Sequence, residues 1–302
     1  MGKIGPIIFI AISAALWGII AIFVRKLASL GFTSMEIVTL RVVTAALLLA
    51  IIGLTKYPRH MKIHLADSKY FIGTGIFSIV LFNWCYFTSI NQLSLSFAVI
   101  LLYTAPAFVA VLSYLFLKES MDNRKIIAVI GTLIGCVLIV GFSFRDTSSL
   151  NFIGILTGLG AGFGYSLYTI FGKFALEKYR PFTVTFYTFL VAAITLLLFT
   201  DLFEKGSILV SGEVIIYGLG LGLFPTVIAY LLYTKGLENM ESSKASIIAT
   251  VEPVAATLLS VFLYKENFGV LQFVGTAIIL LSVILINLPK TTLKIQQKKA
   301  SL

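Results

Sequence analysis

The composition of this chain excludes a water-soluble fold. Of its 302 residues, 59% are hydrophobic and only 12% are charged, and the mean hydropathy is +1.01. A soluble domain would need a polar surface that this composition does not supply. The formal net charge is +10, but the Lys and Arg residues are spread between apolar segments, which argues against a nucleic-acid partner. We therefore expect an all-α integral membrane protein whose solvent is the lipid bilayer.

The chain contains ten apolar segments that are long enough to cross a bilayer. A transmembrane helix needs about 20 apolar residues. In chain order, the predicted spans are residues 4–24, 35–54, 70–90, 96–117, 126–142, 152–171, 182–202, 214–234, 245–264 and 271–288. The first span lacks the layout of a cleaved secretory signal, so we interpret it as a retained helix.

The distribution of positive charge predicts the orientation of these spans. With the N-terminus inside, the inner connections carry most of the 23 Lys and Arg residues. The outer side then holds Arg25, Lys26, Arg145, Lys205 and Lys265. Because cytoplasmic loops are enriched in Lys and Arg, we expect a multi-pass protein of the cytoplasmic membrane with both termini in the cytoplasm.

An internal repeat runs through the chain at an offset of 147 residues. The matched positions include Gly73 and Gly220, Gly75 and Gly222, Pro106 and Pro253, and Lys118-Glu119 and Lys265-Glu266. We predict a first five-helix repeat over residues 1–143, a second over 144–289, and a basic cytoplasmic tail over 290–302. Such repeats identify duplicated architectures.

The odd number of crossings in each repeat predicts that the second repeat is inverted relative to the first. Inverted repeats provide two nearly equivalent conformations, one open to each side, with the substrate site at the repeat interface near the midplane. This arrangement favours transport by alternating access. A duplicated but static scaffold is the alternative.

Several short motifs within the predicted spans and at their ends resemble those of a known family. They are Trp17-Gly18, Arg41, Thr104-Ala105-Pro106 followed by Lys118-Glu119, and Val251-Glu252-Pro253 followed by Lys265-Glu266. The chain resembles, over residues 4–288, the ten-helix EamA-type branch of the drug/metabolite transporter superfamily. This resemblance implies a secondary transporter or facilitator with a central cavity lined mainly by helices 1, 3, 4, 6, 8 and 9. Members of that superfamily handle amino acids, sugars, nucleosides, drugs and other metabolites.

The residues needed for ATP hydrolysis or other catalysis are not found in a usable pattern. Residues 172–174 read Gly-Lys-Phe and lack the second glycine and the hydroxyl of a phosphate-binding loop. His60 and His64 share one loop without an evident third metal ligand. Cys85 and Cys136 lie within spans, where small apolar packing is the default. We expect no enzyme activity, no cofactor and no metal.

Aromatic and mildly polar side chains are the predicted lining of the cavity. They are Trp17, Asn83, Tyr86, Tyr103, Thr104, Tyr165, Tyr168, Tyr230 and Tyr233. This lining suits an amphipathic organic cargo, whereas packing or lipid-facing roles are the alternative for each of them. Pro106, Pro225 and Pro253 remove backbone donors within spans, and they are candidates for gating hinges or for static kinks.

Two charged residues within the spans are candidate functional groups. Glu252 is the one glutamate at the middle of a predicted span, and its repeat mate is Ala105. We predict that it exchanges a proton or binds a cargo amine; a structural pair with Arg41 or a protonated carboxyl on a freed backbone group is the alternative. Arg41 is expected to face the bundle interior, because a charge in lipid is costly. Snorkelling to the outer interface is the competing interpretation.

The leading functional hypothesis is a secondary transporter that moves a small organic metabolite, with a proton as a candidate coupling ion. An exporter of amino acids or related amphipathic metabolites is favoured. The alternative is a passive channel or a non-transporting membrane scaffold. A channel predicts a continuous polar stripe through several helices, whereas the polar residues here are isolated. No oligomeric state is predicted.

Overall fold

Ten helices long and apolar enough to cross a membrane make up most of the described chain. The computed structural model describes residues 4–141, 151–265 and 268–288, which contain helices and connections but no strands. The ten helices are α1 Ile4–Ser29, α2 Ser34–Lys56, α3 Leu65–Gln92, α4 Leu95–Leu117, α5 Asn123–Val140, α6 Phe152–Leu176, α7 Pro181–Phe199, α8 Gly212–Glu238, α9 Ser242–Tyr264 and α10 Val270–Asn287. Short helical turns at Pro58–Met61, Leu202–Lys205 and Gly206–Leu209 lie in the connections. The predicted all-α membrane fold with ten spans is confirmed.

Some helices extend beyond the spans predicted from hydropathy. The first predicted span ends at residue 24, whereas α1 continues to Ser29. The guanidinium of Arg25 lies 4.4 Å from the centre of the Tyr264 ring, and Lys26 Nζ lies 3.4 Å from Glu213 Oε1. Long charged side chains can remain on a helix near the membrane surface because their heads reach such partners. Hydropathy therefore marks the apolar part of each helix and misses its charged end.

Helices α4 and α9 are each interrupted near their middle. α4 consists of Leu95–Leu102 and Ala105–Leu117, and α9 consists of Ser242–Ala249 and Val251–Tyr264. At the interruptions, the hydroxyls of Thr104 and Thr250 each donate a hydrogen bond of 2.6 Å to a carbonyl three residues earlier. Pro106 and Pro253 follow the interruptions and lie in the first turn of the next helical segment. A backbone N–H has no partner within the helix there, so the N–H that proline lacks costs least at these positions. The two breaks occupy corresponding positions of the sequence repeat.

Helices α3 and α8 each contain a wider, π-helical stretch. These stretches cover Gly73–Val80 and Leu223–Ile228. The side chain of Asn83 donates to the Ile79 carbonyl at 2.7 Å, and Thr226 Oγ1 donates to the Leu221 carbonyl at 2.8 Å. Pro225 lies inside the second stretch. These side chains satisfy carbonyls near positions where the regular helical pattern changes, and such wide turns are frequent at functional sites.

The packing of the helices follows the same pattern in the two halves of the chain. The contacts of α6 with α3 and α4 correspond to those of α1 with α8 and α9, and the α2–α8 contact corresponds to α7–α3. The corresponding helices α2 and α7 run antiparallel, since Thr39 contacts Thr200 at one end and Tyr57 packs on Phe182 at the other. Helices α5 and α10 also run antiparallel, with Gly135 close to Gly275.

The described positive charges concentrate at one end of the bundle, which we call the basic end. It comprises Lys56, Arg59, Lys62, Lys69, Lys118, Arg124, Lys125, Lys173, Lys178, Arg180, Lys235 and Lys244. Polar contacts across helices are frequent there. Lys178 Nζ lies 2.7 Å from Asp67 Oδ1, and Lys173 Nζ donates to the Met240 carbonyl at 2.7 Å. Arg145, Glu266 and the predicted tail 290–302 lie outside the described residues.

The α5–α10 crossing predicts a strong effect of one small substitution. A Cβ atom on Gly275 would lie 2.6 Å from the Gly135 carbonyl oxygen, which belongs to the backbone and cannot rotate away. We expect Gly275→Ala to lower the free energy of unfolding by about 1–3 kcal/mol, the usual cost of overpacking. The melting temperature of the purified protein in detergent measures this effect.

Gly212→Ala is the matched control for this prediction. Nothing lies within 4 Å of the Cβ that it would add, so the melting temperature should stay the same or rise slightly. Equal melting temperatures for both variants would contradict the close α5–α10 contact.

Candidate functional site

Two adjacent cavities at the centre of the bundle share Tyr165. The first, which we call the aromatic cavity, has a volume of about 10 Å³ and is lined by Trp17, Ser78, Ile79, Phe82, Tyr165, Tyr168, Thr169, Tyr230 and Tyr233. The second, which we call the Glu252 cavity, has a volume of about 20 Å³ and is lined by Leu102, Tyr103, Ala105, Pro106, Tyr165, Ser246, Ala249, Thr250 and Glu252. Helices α1, α3, α4, α6, α8 and α9 thus supply the walls.

Trp17 packs against three of the tyrosines that line the aromatic cavity. Its ring centre lies 5.2 Å from the rings of Tyr230 and Tyr233 and 6.1 Å from that of Tyr165. The contacts with Tyr165 and Tyr230 are edge-to-face, a geometry that contributes about 0.5–1.5 kcal/mol per pair beyond area burial. The result is a well-packed aromatic wall whose ring faces attract cations and apolar groups.

The tyrosine hydroxyls of this wall fall into two groups. The Tyr168 hydroxyl shares a 2.7 Å hydrogen bond with Thr234, and the Tyr233 hydroxyl shares one of 2.7 Å with Thr169. Both bonds join α6 to α8. The Tyr230 hydroxyl makes no hydrogen bond with any residue that the structure describes.

Glu252 is a partly buried carboxylate at the interruption of α9. It lies two residues after Thr250, on the first turn of Val251–Tyr264. The Tyr165 hydroxyl is its hydrogen-bonding partner, and Arg41 acts on it electrostatically. Within the described ranges, no cationic side chain lies within 4.0 Å of the carboxylate. A charge in this setting is costly unless it is compensated by a ligand, a proton or water.

Arg41 is buried inside the bundle rather than extended to lipid. Its side chain projects from α2, the residue is only 7% exposed, and its Nε atom has no hydrogen-bond partner. Tyr230 and Glu252 are the groups that act on it electrostatically. A direct Arg41–Glu252 salt bridge, one of the alternatives derived from the sequence, is not found in the part of the chain that the structure describes.

Several predicted residues lie beside the cavities rather than in their walls. Asn83 donates to a carbonyl of its own helix, as does Thr104. The Tyr86 ring stacks on Phe82 at 5.9 Å. Of the three prolines, Pro106 lines the Glu252 cavity, whereas Pro225 and Pro253 are buried and line neither cavity.

The sequence does not single out three polar or aromatic residues that line the aromatic cavity. They are Ser78, Phe82 and Thr169. A helical spacing of four residues connects Ser78, Phe82 and Tyr86 on α3, and the same spacing connects Tyr165 with Thr169 on α6. This periodicity is the signal that identifies the face of each helix once one cavity residue is known.

Residues 4–141 and 152–288 match the EamA-like transporter family. The chain belongs to this family. An uncharacterized transporter of Archaeoglobus fulgidus is 27% identical over 277 residues, which cover 91% of this chain and 94% of that protein. The uncharacterized inner membrane transporter YicL of Salmonella typhimurium is 25% identical over 283 residues, with 92% and 94% covered. YwfM of Bacillus subtilis, also an uncharacterized transporter, is 30% identical over 207 residues, 67% of this chain and 68% of its own.

The fold is also that of a solved protein. A crystal structure superposes with a TM-score of 0.80 at 17% sequence identity, and the match covers 95% of this chain and 97% of the other. At this identity the likeness shows the fold alone. The EamA-like membership and the ten apolar helices make the chain a multi-pass membrane transporter, as the sequence motifs predicted.

The two groups of hydroxyls predict different effects of tyrosine substitutions on the stability of the protein. Tyr168→Phe and Tyr233→Phe each remove an α6–α8 hydrogen bond, and each should cost about 0.5–1.5 kcal/mol of stability. Tyr230→Phe removes no such bond, so its melting temperature should equal that of the wild type. A larger loss for Tyr230→Phe than for the other two would show that the grouping is wrong.

Proposed function

We propose that this EamA-like protein is a secondary transporter that moves a small amphipathic metabolite by alternating access, with Glu252 as its cargo-amine-binding or proton-exchanging group. One observation carries the proposal. A carboxylate without a salt-bridge partner in the described chain lies in a cavity between α4, α6 and α9, which belong to different halves, and it sits at the interruption of α9. A charged group in such a position is usually functional.

The relation between the two halves supports an inverted repeat, with a first half over residues 1–143 and a second over 144–289. Lys118 and Lys265, which are repeat mates, both end a helix in the left-handed conformation with φ of 56°. This conformation is uncommon for residues other than glycine, so its recurrence is an independent sign of duplication. The antiparallel course of α2 with α7 and of α5 with α10 is what inversion of the second half requires.

The first halves of α4 and α9 differ in burial, and this difference supports alternating access. In Ser242–Ala249, every residue except Lys244 is buried, whereas in the corresponding Leu95–Leu102 only Ala98 and Leu102 are buried. Inverted repeats change state by exchanging such conformations between mates. The described conformation is therefore assigned as closed at the basic end, with α4 free to close the opposite end in the other state.

Glu119 supplies the contact that holds the basic end closed. It accepts hydrogen bonds from Ser242 N at 2.5 Å, Ser243 N at 3.1 Å and Ser243 Oγ at 2.7 Å, so it caps the first turn of α9. Burial alone would raise the pKa of Glu119, but the hydrogen bonds from Ser243 and Ser242 and the charge of Lys125 hold this pKa below its ordinary value. The carboxylate is ionised at neutral pH and is lost as a cap only when the pH falls through that lowered pKa.

The charge distribution supports a cytoplasmic position of the basic end, and with it cytoplasmic termini. Cargo that enters the central cavities from the cytoplasm would meet Glu252 and the aromatic wall. A carboxylate near aromatic faces is suited to a protonated amine with an apolar body. Export of amino acids or related amphipathic metabolites is the activity that this chemistry favours, without enzymatic conversion of the cargo.

The role of Glu252 is tested by Glu252→Gln, which keeps the shape of the side chain and removes its charge. A charge-assisted hydrogen bond contributes about 1.5–3 kcal/mol, so we expect at least a tenfold loss of saturable counterflow in proteoliposomes and a flattened pH dependence. Glu213→Gln is the control, because Glu213 is exposed and pairs with Lys26 at the opposite end. Unchanged counterflow and pH dependence in a folded Glu252→Gln protein would remove Glu252 from the mechanism.

The closing role of Glu119 is tested by the accessibility of Ser246, which is 4% exposed. In a protein with Cys85 and Cys136 replaced by Ala, Ser246→Cys should react slowly with maleimide from the cytoplasmic side of inside-out vesicles. Adding Glu119→Gln should increase that rate several-fold. Adding Glu238→Gln should not, because Glu238 pairs with Lys235 on its own helix. Equal rates with both added substitutions would mean that Glu119 does not close the basic end.

A further inference from the structure

A third cavity, which we call the outer cleft, is much larger than the two central ones. It has a volume of about 220 Å³, whereas the central cavities have volumes of about 10 and 20 Å³. Its walls come from residues 18–25 of α1, residues 256–264 of α9 and Gln272 of α10. A volume of about 10–15 Å³ is enough for one water, and an apolar cavity of about 150 Å³ holds benzene. In the described conformation the outer cleft therefore has room for a small organic molecule, and the central cavities do not.

A close crossing of α1 and α9 separates the outer cleft from the centre of the bundle. A Cβ atom on Gly18 would lie 2.9 Å from Ala256 N and 3.0 Å from Ala255 Cβ, so the two helices leave no space between them there. Trp17, the residue before Gly18, lines the aromatic cavity. Glu252, one turn before Ala256, lines the Glu252 cavity. Gly18 and Ala256 thus form the floor of the cleft, which lies on the side away from the basic end.

The interior of the outer cleft is mainly apolar but includes two hydroxyl groups. Its interior side chains are Ala21, Ile22, Leu259 and Val261, together with Thr257 and Ser260. Apolar walls favour a ligand whose body is removed from water on binding, and hydroxyls tolerate a polar substituent on that body. This mixture suits an organic molecule better than a hydrated inorganic ion.

Arg25 and Tyr264 form the rim of the outer cleft. Arg25 lies about 10 Å beyond Gly18 along α1, at about 1.5 Å per residue. Its guanidinium carbon lies 4.4 Å from the centre of the Tyr264 ring. Stacking uses the flat face of a guanidinium, whereas the N–H donors lie in its plane. The ring thus holds the group in place, and the edge of the group keeps the geometry that binds a carboxylate or a phosphate.

The position of Arg25 in the bundle also needs an explanation. Most described Lys and Arg residues lie at the basic end, whereas Arg25 lies at the opposite end. Two other cations of that end form ion pairs that tie helices together. Lys26 Nζ lies 3.4 Å from Glu213 Oε1, and Lys205 Nζ lies 2.7 Å from Glu36 Oε2. Arg25 differs from both because it lines a cleft of ligand size.

We propose that the outer cleft binds a small organic anion, with the acid group on the Arg25 guanidinium and the apolar body between α1 and α9. A carboxylate or a phosphate accepts two parallel hydrogen bonds from a guanidinium. The body of the ligand packs against Ile22 and Leu259 above the floor. This site lies outside the central cavities and prefers the opposite charge to the Glu252 site, so its existence does not depend on the proposed transport.

Two probes that share one ring and differ in charge test the preference for an anion. They are benzoate and benzyl alcohol. Calorimetric titration of the purified wild-type protein should show saturable binding of benzoate, at least tenfold tighter than that of benzyl alcohol. Equal affinities for the two probes, or no saturable benzoate binding to the folded protein, would overturn the proposal.

The neighbouring cations Arg25 and Lys26 provide a matched pair of variants that locates the anion. Arg25→Gln should weaken benzoate at least tenfold and leave benzyl alcohol unchanged, because the contacts with the ring remain. Lys26→Gln should leave benzoate unchanged, since Lys26 pairs with Glu213 and is not among the residues of the cleft. Ala21→Leu fills part of the cleft and should weaken both probes, which preserves a test if Arg25→Gln fails to fold. Equal losses of benzoate affinity in Arg25→Gln and Lys26→Gln would indicate a diffuse effect of charge and reject the site.

Mass spectrometry of the detergent-purified protein identifies the source of the anion. An anionic phospholipid also carries an acid group on an apolar body. Phosphatidylglycerol retained by the wild type and by Lys26→Gln, but not by Arg25→Gln, would assign the site to a lipid head group. Benzoate binding without a retained lipid would assign it to a free organic acid. A protein that neither retains the lipid nor binds benzoate would show that the outer cleft is not an anion site.

Discussion

The absence of water in the hydrocarbon core is the constraint on which the structure depends. Every backbone N–H and carbonyl within the bilayer must find a partner inside the protein, which favours continuous helices. The described chain departs from that pattern at Ile19 of α1 and within α3, α4, α8 and α9, and in the last four helices a side chain makes a compensating bond. Thr104, Thr250, Asn83 and Thr226 each donate to a carbonyl of their own helix. Irregular backbone is thus retained where these helices surround the two cavities, as expected if the bends serve the site rather than the scaffold.

The same constraint applies to side chains and separates the scaffold from the candidate site. Thr74 and Thr188 pair at 2.6 Å, and Tyr168 pairs with Thr234, so these hydroxyls join α3 to α7 and α6 to α8. Arg41 and Trp17 are left with unpaired donors only a few side chains away. In the proposed function, stability and recognition are carried by different residues of one aromatic cluster.

The number of spans and the positions of Trp17, Tyr165, Tyr230 and Glu252 in the described cavities could be predicted from the sequence, because hydropathy identifies spans and rare polar residues are conspicuous within them. The orientation of Asn83 could not. A helix that is apolar on all sides carries no periodic signal for which face meets a neighbour, so the sequence favours a cavity position for Asn83, whereas its side chain donates to the Ile79 carbonyl of its own helix. The capping of α9 by Glu119 depends on a contact between two halves that are distant in the chain, and nothing in the local pattern near residue 119 indicates it.

The two halves share a fold, but only the second half carries a carboxylate beside the break of its interrupted helix. In the proposed mechanism this asymmetry places the response to cargo in the second half. Ala105 and Glu252 occupy matching positions, each beside the break of its own helix, yet only Glu252 can bind a cation or a proton. Because Glu252 lies just beyond the break in α9, a change in the angle between Ser242–Ala249 and Val251–Tyr264 would move the carboxylate relative to Tyr165 on α6. The capping bonds from Ser242 and Ser243 to Glu119 fix the first of these segments at the basic end. In the proposed mechanism, opening of that end and a shift of the Glu252 carboxylate are coupled through the short segment Ser242–Ala249, so that a symmetric scaffold responds to the occupancy of a single charged group.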